Sequence, residues 1–457
     1  MLKYAVVIIP YLSEFFPLKF KKTYAILNAG PDKINITEDD LMGKLKIGVF
    51  GAGRGMSMIH QLLGHPDACV AAICDKHRPT LDNAGKTAED VGETVELYEN
   101  FEDFIQADMD AVVLANYAHE HAKYGIRLLN SGRHIMSEVL ACANLAEAAA
   151  LIEAVEKSGK IYNYAENYCF FNTTFEMRQR YQRGDIGEFT YGEGEYIHDC
   201  SSIWPQITYG ERDHWRNNTQ STFYCTHSLG PLLYSTGLRP VKVQGCEGRR
   251  GEFMKNLGAR AGSFGIEMVT LENGGICKSI HGGLKREPGS INYQLYGTKG
   301  CMETDRWNGG HLHFYRESDR NCIPGEILDY VPEFTNKDAA AAGHGGGDFF
   351  TTHYFIRSIL GDEEAKKNAI NVYQAVDMTI PGILAFRSIL QGGDAIEVPN
   401  LRLPEERDKY RNDTFCTIKS SAGDICDDPM SMQPDKEPTP DEVYEEVRRR
   451  WLAGEPG

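Results

Sequence analysis

At 457 residues, with 42% apolar and 25% charged side chains, the chain is too long for one ordinary core, and its composition excludes a disordered or fibrous class. A formal net charge of −17 argues against a nucleic-acid binder, which needs a basic face to displace counterions from phosphates. The twelve cysteines are scattered singly, without a C-x-x-C pair or zinc-ligand spacing, and read as reduced thiols of a cytoplasmic protein rather than a disulfide framework.

No apolar run approaches the roughly 20 residues that span a bilayer, so no membrane segment is expected. Residues 1–43 read as an N-terminal extension. Their apolar part, Tyr4 to Ile9, ends at Pro10, no small-x-small cleavage site follows, and Met42 stands directly before the first regular strand. From Lys44 the pattern becomes periodic. Leu45 to Phe50 alternates into a buried strand, followed by a glycine loop and a helix through Ile59, Leu62 and Leu63. Cys69 to Cys74 is a second strand, ending at Asp75. Ala111 to Ala115 is a third, followed by a helix carrying Ala122, Ile126 and Leu129. His134 to Met136 leads to Glu138, Leu145 to Lys157 is helical, and Ile161 to Tyr164 is the next strand. Strands alternating with helices predict an N-terminal Rossmann-type α/β domain over 44–166, with a doubly wound parallel sheet.

After Asn167 the segments become longer, more aromatic and strand-like: Glu188 to His198, Val241 to Glu247, Phe264 to Leu271, Ile276 to His281 and Ile291 to Tyr296. Successive strands without helices between them predict an α+β domain over 167–403 with an open, mostly antiparallel sheet. Its free face must be buried, which predicts a homo-oligomer, a dimer or tetramer. Helices are expected over Asp348 to Leu360 and Asn371 to Leu390. Residues 404–457 read as a polar tail that ends in one charged helix, Asp441 to Trp451.

The loop Gly51-Ala52-Gly53-Arg54-Gly55 lies between a strand and a helix, where unpaired N–H groups and the helix dipole favour a phosphate. It is an imperfect fingerprint, since the third glycine of G-x-G-x-x-G would fall at Met56. Asp75 stands 22 positions after Gly53, at the end of the next strand, where a carboxylate accepts from ribose hydroxyls. That carboxylate favours NAD over NADP, although Lys76, His77 and Arg78 follow it. A dinucleotide site is expected.

The order of segments resembles the Gfo/Idh/MocA oxidoreductase family. The likeness is carried by the first strand and loop, Ala115 to Ala122, Ser137-Glu138-Val139, Gly343-His344-Gly345-Gly346-Gly347-Asp348 and Glu397-Val398-Pro399. Ordinary dehydrogenases of that family have Glu-Lys-Pro where this chain has Glu138-Val139-Leu140, and valine is neither acid nor base. The sequence is most similar to the NAD-dependent glycoside hydrolase branch, typified by α-N-acetylgalactosaminidases. That branch has Glu-Val-Pro there, and is matched further by Glu166-Asn167, Tyr196-Ile197-His198-Asp199, Trp215-Arg216 and Tyr224-Cys225-Thr226-His227-Ser228-Leu229-Gly230-Pro231.

The resemblance implies that Gly51, Gly53, Arg54, Gly55, Asp75, Asn116, His121, Glu138, Val139, Asn167 and Tyr224 form the cofactor site. Tyr196, Arg216, Tyr224, Cys225, Thr226 and His227 would touch a small-molecule carbohydrate. Catalysis would fall to His227 and Tyr224, with His198 as a further candidate. The implied reaction oxidises the sugar at C3, so that the C2 proton becomes acidic and the C1 group leaves by elimination. Water then adds and the hydride returns, leaving the cofactor unchanged. A histidine and a tyrosine suit the proton transfers and the developing enolate. A conventional NAD(P)-dependent sugar or cyclitol dehydrogenase is the alternative, and a cofactor-binding sensor is a third reading.

Bland readings stand beside these. Tyr224 and His227 share a face only if their segment is helical, and their bland reading is that of buried packing residues satisfied by backbone partners. His198 beside Asp199 is either an oriented imidazole or a surface pair, and Arg216 either a substrate ligand or half of a structural ion pair. Trp204 and Trp215 form a stacking floor or a piece of core. Trp307 stands near where the family carries a further substrate tyrosine. His311 and His313 read as one exposed and one packed residue rather than a metal site, and no metal is expected. His344 reads as loop geometry, a hinge or a subunit contact.

Overall fold

A computed structural model describes residues 43–286, 289–318, 323–334, 338–339, 344–426 and 438–457. The expectations for residues 1–42 and Gly343 lie outside them.

The chain begins as read. Strand β1, Leu45–Phe50, leads into helix α1, Ala52–Leu62, and then β2, Ala68–Cys74. Helix α2, Arg78–Asp90, and a three-residue strand, β3, Glu96–Tyr98, follow. The sequence reading has neither. The strand is short, and its residues are largely exposed at the sheet edge, so it lacks an apolar signature. Strand β4, Ala111–Leu114, is fully buried, as a central parallel strand must be. Helix α3, His121–Asn130, strand β5, His134–Ser137, helix α4, Leu145–Ser158, and strand β6, Tyr162–Tyr164, complete the unit. The order is β3-β2-β1-β4-β5-β6, all parallel. It reverses direction between β1 and β4, and the cleft at such a switch point is where these sheets bind ligands.

Helix α4 shows how tightly sequence sets an element. Asn144 accepts from the Glu147 N–H at 2.9 Å, while Glu147 accepts in return from the Ala143 N–H at 2.7 Å. Gly159 closes the helix in the left-handed region at φ 63°.

The second sheet has nine strands. They are β7, Phe189–Ile197; β8, Pro240–Glu247; β9, Phe264–Leu271; β10, Ile276–Gly282; β11, Ser290–Gly297; β12, Gly300–Thr304; β13, Leu312–Glu317; β14, Pro324–Tyr330; and β15, Ile396–Glu397. The order is β14-β13-β12-β11-β7-β10-β9-β8-β15. Every pair is antiparallel except β7 with β10. One face carries helix α5, Thr226–Thr236, and helix α7, Val372–Leu390. Gly194 of β7 admits the α5 backbone so closely that a Cβ there would collide with the Ser228 carbonyl, and Gly245 of β8 does the same for Ala385 of α7. Helix α6, Gly347–Ile359, crosses to the first unit and packs Phe355 and Ile356 into the core beneath α1.

The described part of residues 404–457 is no loose tail. Arg407 and Arg411 pair with Glu156 and Glu153 of α4, and helix α8, Asp441–Ala453, buries Val447 among Trp204, Leu257 and Ala259. Its polar composition reflects a one-sided helix, with charge outward and a narrow apolar stripe inward.

Candidate active site

The glycine loop has the geometry that a pyrophosphate requires. Gly51 sits at φ 97°, and a Cβ on it would lie 2.5 Å from the Ala115 backbone. A Cβ on Gly53 would meet nothing within 4 Å, so glycine there keeps open the space over the first turn of α1. Gly55 lies against Val49, which brings helix and strand together. Asp75 accepts from the Ala52 N–H and the His77 N–H, both at 2.8 Å, which fixes its carboxylate beside the loop. Across the switch point, Asn116 Oδ1 and the Tyr117 hydroxyl are buried without a hydrogen-bond partner. Orphaned polar atoms of this kind face a ligand or water. The residues therefore fit a dinucleotide.

His121 lies below this surface. Its ring nitrogens stand 3.0 Å from the Leu140 carbonyl and 3.3 Å from the Asn116 carbonyl. Burial pulls its pKa down to about 4, so the ring is neutral at pH 7 and its single N–H donates to one of these two carbonyls. Val139 is buried and apolar, and its peptide bond to Leu140 is cis.

Arg54 has a more particular role than its place in a glycine loop implies. Its guanidinium lies 2.7 Å from Glu138 and 2.8 Å from Asp348, and Asp348 also accepts from Asn167 at 3.1 Å. Asp348 opens α6, so the cluster ties α6 to α1 and to the segments that follow β5 and β6. Burial raises the Glu138 pKa, and Arg54 opposes that rise. Asp348 has no assigned role in the sequence reading. Its signal is an acidic residue directly after three glycines at a helix start.

The second cluster centres on His227. Its Nδ1 lies 2.9 Å from Glu166, a fully buried carboxylate that also accepts from Thr226 Oγ1 at 2.8 Å. Since a carboxylate only accepts, the neutral ring carries its proton on Nδ1 and its lone pair on Nε2. The rings of Tyr168, Tyr196 and Tyr224 stand 4.5, 4.7 and 5.7 Å from the imidazole. Glu166 and Tyr168 have no assigned role in the sequence reading either. Glu166-Asn167-Tyr168 runs from β6 into a single turn of helix, so that Glu166 and Asn167 serve the two clusters from adjacent positions. Helix α5 begins only at Thr226, so Tyr224 reaches His227 from the preceding turn and not from a shared helical face.

Arg216 lies over Trp215 at 4.3 Å and over Tyr224 at 5.7 Å, and Trp215 stacks on Tyr224. His198 Nδ1 is 3.2 Å from the Tyr196 hydroxyl and 3.1 Å from Cys200 Sγ, whereas Asp199 binds Lys285 and the Ser201 N–H.

Other candidates sit elsewhere. The Cys225 thiol is fully buried and faces the Met378 carbonyl of α7 at 3.4 Å, away from the tyrosines. Thr226 spends its hydroxyl on Glu166. Trp204 donates to Asn217 within the cluster under α8, so it is core and not a stacking floor. Trp307 is 71% exposed and stacks with Arg286. His311 and His313 are both partly exposed beside Asp329, so the expectation that one is packed does not hold. Among the described residues no group of three or more His, Cys, Asp or Glu has metal-holding geometry, and no helix is long and apolar enough to cross a membrane.

Comparison with known proteins agrees with this arrangement. Residues 45–166 match the Gfo/Idh/MocA oxidoreductase family, NAD-binding Rossmann fold, and residues 260–404 match the glycosyl hydrolase 109 C-terminal domain. A glycosyl hydrolase family 109 protein of Phocaeicola vulgatus is 26% identical over 425 residues, covering 81% of this chain and 86% of its own. One from Solibacter usitatus is 24% identical, covering 78% and 88%. Among solved structures, an inositol dehydrogenase homologue from Azotobacter vinelandii complexed with NAD+ superposes with a TM-score of 0.63 at 14% identity, over 78% of this chain and 98% of that one. Scyllo-inositol dehydrogenase from Lactobacillus casei, with bound NAD(H) and scyllo-inositol, gives 0.62 at 17% identity, over 78% and 99%. At such identity these two establish the fold alone. The chain is therefore an enzyme that carries a Gfo/Idh/MocA oxidoreductase-family Rossmann domain over 45–166 and a glycosyl hydrolase 109 C-terminal domain over 260–404.

Proposed function

We propose that the protein is an NAD-dependent sugar-active enzyme that cleaves a glycoside without net oxidation. The observation that carries this reading is the Glu166–His227 pair, walled by three tyrosines, beside a dinucleotide cleft with Val139 in place of a lysine.

Gly51, Gly53, Arg54, Gly55, Asp75, Asn116, Glu138 and Asn167 would hold the cofactor, with the neutral His121 ring buried beneath them. Bound NAD supplies reversible hydride acceptance at a sugar carbon. The chain's own residues do the rest. His227, its Nδ1 proton engaged by Glu166, takes a proton at Nε2 from the carbon made acidic beside the ketone and returns it later. The Tyr224 hydroxyl, flanked by Arg216, hydrogen-bonds the developing enolate oxygen. Tyr196 and Arg216 orient the ring, and His198 is placed through Tyr196 to relay a proton at its far side.

Asp75 favours NAD over NADP, because a 2′-phosphate would meet its carboxylate. Cys426 aside, the ten other described cysteines are free thiols, which supports a reducing, cytoplasmic setting. The division into a cofactor unit over 44–166 and a substrate unit over 167–403 belongs to the same reading. A homo-oligomer is supported by the open sheet face, where Met268, Ile276, Tyr296 and Ile327 are exposed.

The test is turnover of nitrophenyl glycosides by protein purified with its cofactor. The expected result is nitrophenol release without added NAD and without accumulating reduced nicotinamide. Stoichiometric reduced nicotinamide with a polyol, and no glycoside cleavage, would establish the dehydrogenase instead.

A further inference from the structure

Helix α8 is absorbed by nothing so far. Its inner stripe rests on the segment between Cys200 and Arg216 and on Leu257 to Ala259. Tyr444 donates to the Gly258 carbonyl at 3.1 Å, Gln206 donates to the Glu455 carbonyl at 2.8 Å, and the Gly457 N–H bonds the Ser202 carbonyl at 2.9 Å. Arg212 pairs with Asp441 at the helix start. A Cβ on Gly210 would meet the Arg448 backbone at 2.4 Å, so glycine there lets segment and helix touch.

This packing sets a row of rings at one end of the dinucleotide cleft. Trp451 lies 5.2 Å from Tyr209, Tyr209 5.8 Å from His214, and His214 5.0 Å from Tyr117. The row is anchored on the turn after Asp75, with Trp451 6.3 Å from His77 and the Lys76 ammonium 4.6 Å over Tyr117. Asp75 marks the ribose end of the site, so the rings wall the side on which an adenine would lie. The buried, unpartnered Tyr117 hydroxyl belongs to the same row.

We infer that α8 is a latch on the adenosine side of the cofactor site. It holds Tyr209 and Trp451 against the turn of Lys76 and His77, so that a purine packs on one aromatic wall and is released slowly. A planar π-system fits such a wall by offset or edge contact. Slow release suits an enzyme that reuses its cofactor, and the inference rests on the dinucleotide reading above.

The experiment follows the release of labelled NAD from full-length protein during a chase with unlabelled NAD. Trp451→Ala and Tyr209→Ala should each speed release by about threefold to tenfold. Leu452→Ala, on the exposed side of α8, should leave it unchanged. A chain ending at Thr439 should purify without NAD. Because that truncation removes packing around Trp204 and Leu257, the two point variants decide. Release as slow as in the parent protein for both would overturn the latch. A parent protein that binds no NAD would overturn the dinucleotide reading and the latch with it.

Discussion

Replacing Glu166 by glutamine removes one oxygen lone-pair set and one charge from a fully buried site while keeping the shape. The carboxylate accepts from His227 Nδ1 at 2.9 Å, Thr226 Oγ1 at 2.8 Å and the Tyr168 N–H at 3.3 Å. An amide has a single accepting oxygen, so one of these donors must face an N–H₂ group. Leaving one buried donor unsatisfied costs about 1–3 kcal/mol of stability. If the amide donates to Nδ1 instead, the imidazole proton moves to Nε2, and the ring can no longer accept a proton from substrate. Turnover should then fall by about 10²- to 10⁴-fold. The assay is nitrophenyl glycoside cleavage, run beside a urea midpoint and a measurement of bound NAD. Bound NAD should be unchanged, since the Arg54 cluster is untouched. Turnover within about threefold of the parent, in a background where His227→Ala is inactive, would refute the assignment of Glu166 as the residue that positions the base.

Two further outcomes follow from the geometry. Gly53→Ala should fold as well as the parent, because its Cβ enters open space, yet bind NAD about tenfold or more weakly by isothermal titration. Gly51→Ala should instead lose about 1–3 kcal/mol of stability in urea, since it combines φ 97° with a 2.5 Å backbone approach. Glu147 is half-buried at the start of α4, and desolvation there lifts its pKa from 4.5 to about 7. The folded state therefore binds the extra proton, so this contribution is fully present below pH 4.5 and is lost as pH rises to about 7. It amounts to about 3 kcal/mol. Glu147→Gln, which still accepts from the Ala143 N–H, should flatten that part of the stability profile when urea midpoints are compared across this window.

The sequence by itself determined the first sheet, because strand–helix alternation with buried parallel strands leaves a continuous apolar signature. It also determined the glycine loop and Asp75, since close backbone approach and a carboxylate at a strand end depend on local residue type. Helix α8 was legible from its charge pattern. The exposed edge strand Glu96–Tyr98 was not, because an edge strand has no face to bury. Only tertiary structure decided the chemistry at the site. Glu166 and His227 lie on different elements, 61 residues apart, and Arg54 meets Asp348 across 294. No periodicity records such pairs; they form because α5 and α6 pack against the turn that follows β6, and α6 also against α1, at the ends of the parallel strands. The same holds for Cys225, whose place in a motif put it at the substrate, while the turn into α5 points its thiol into the core. A linear pattern fixes which side chains are available, but the direction each one faces is set by what packs behind it.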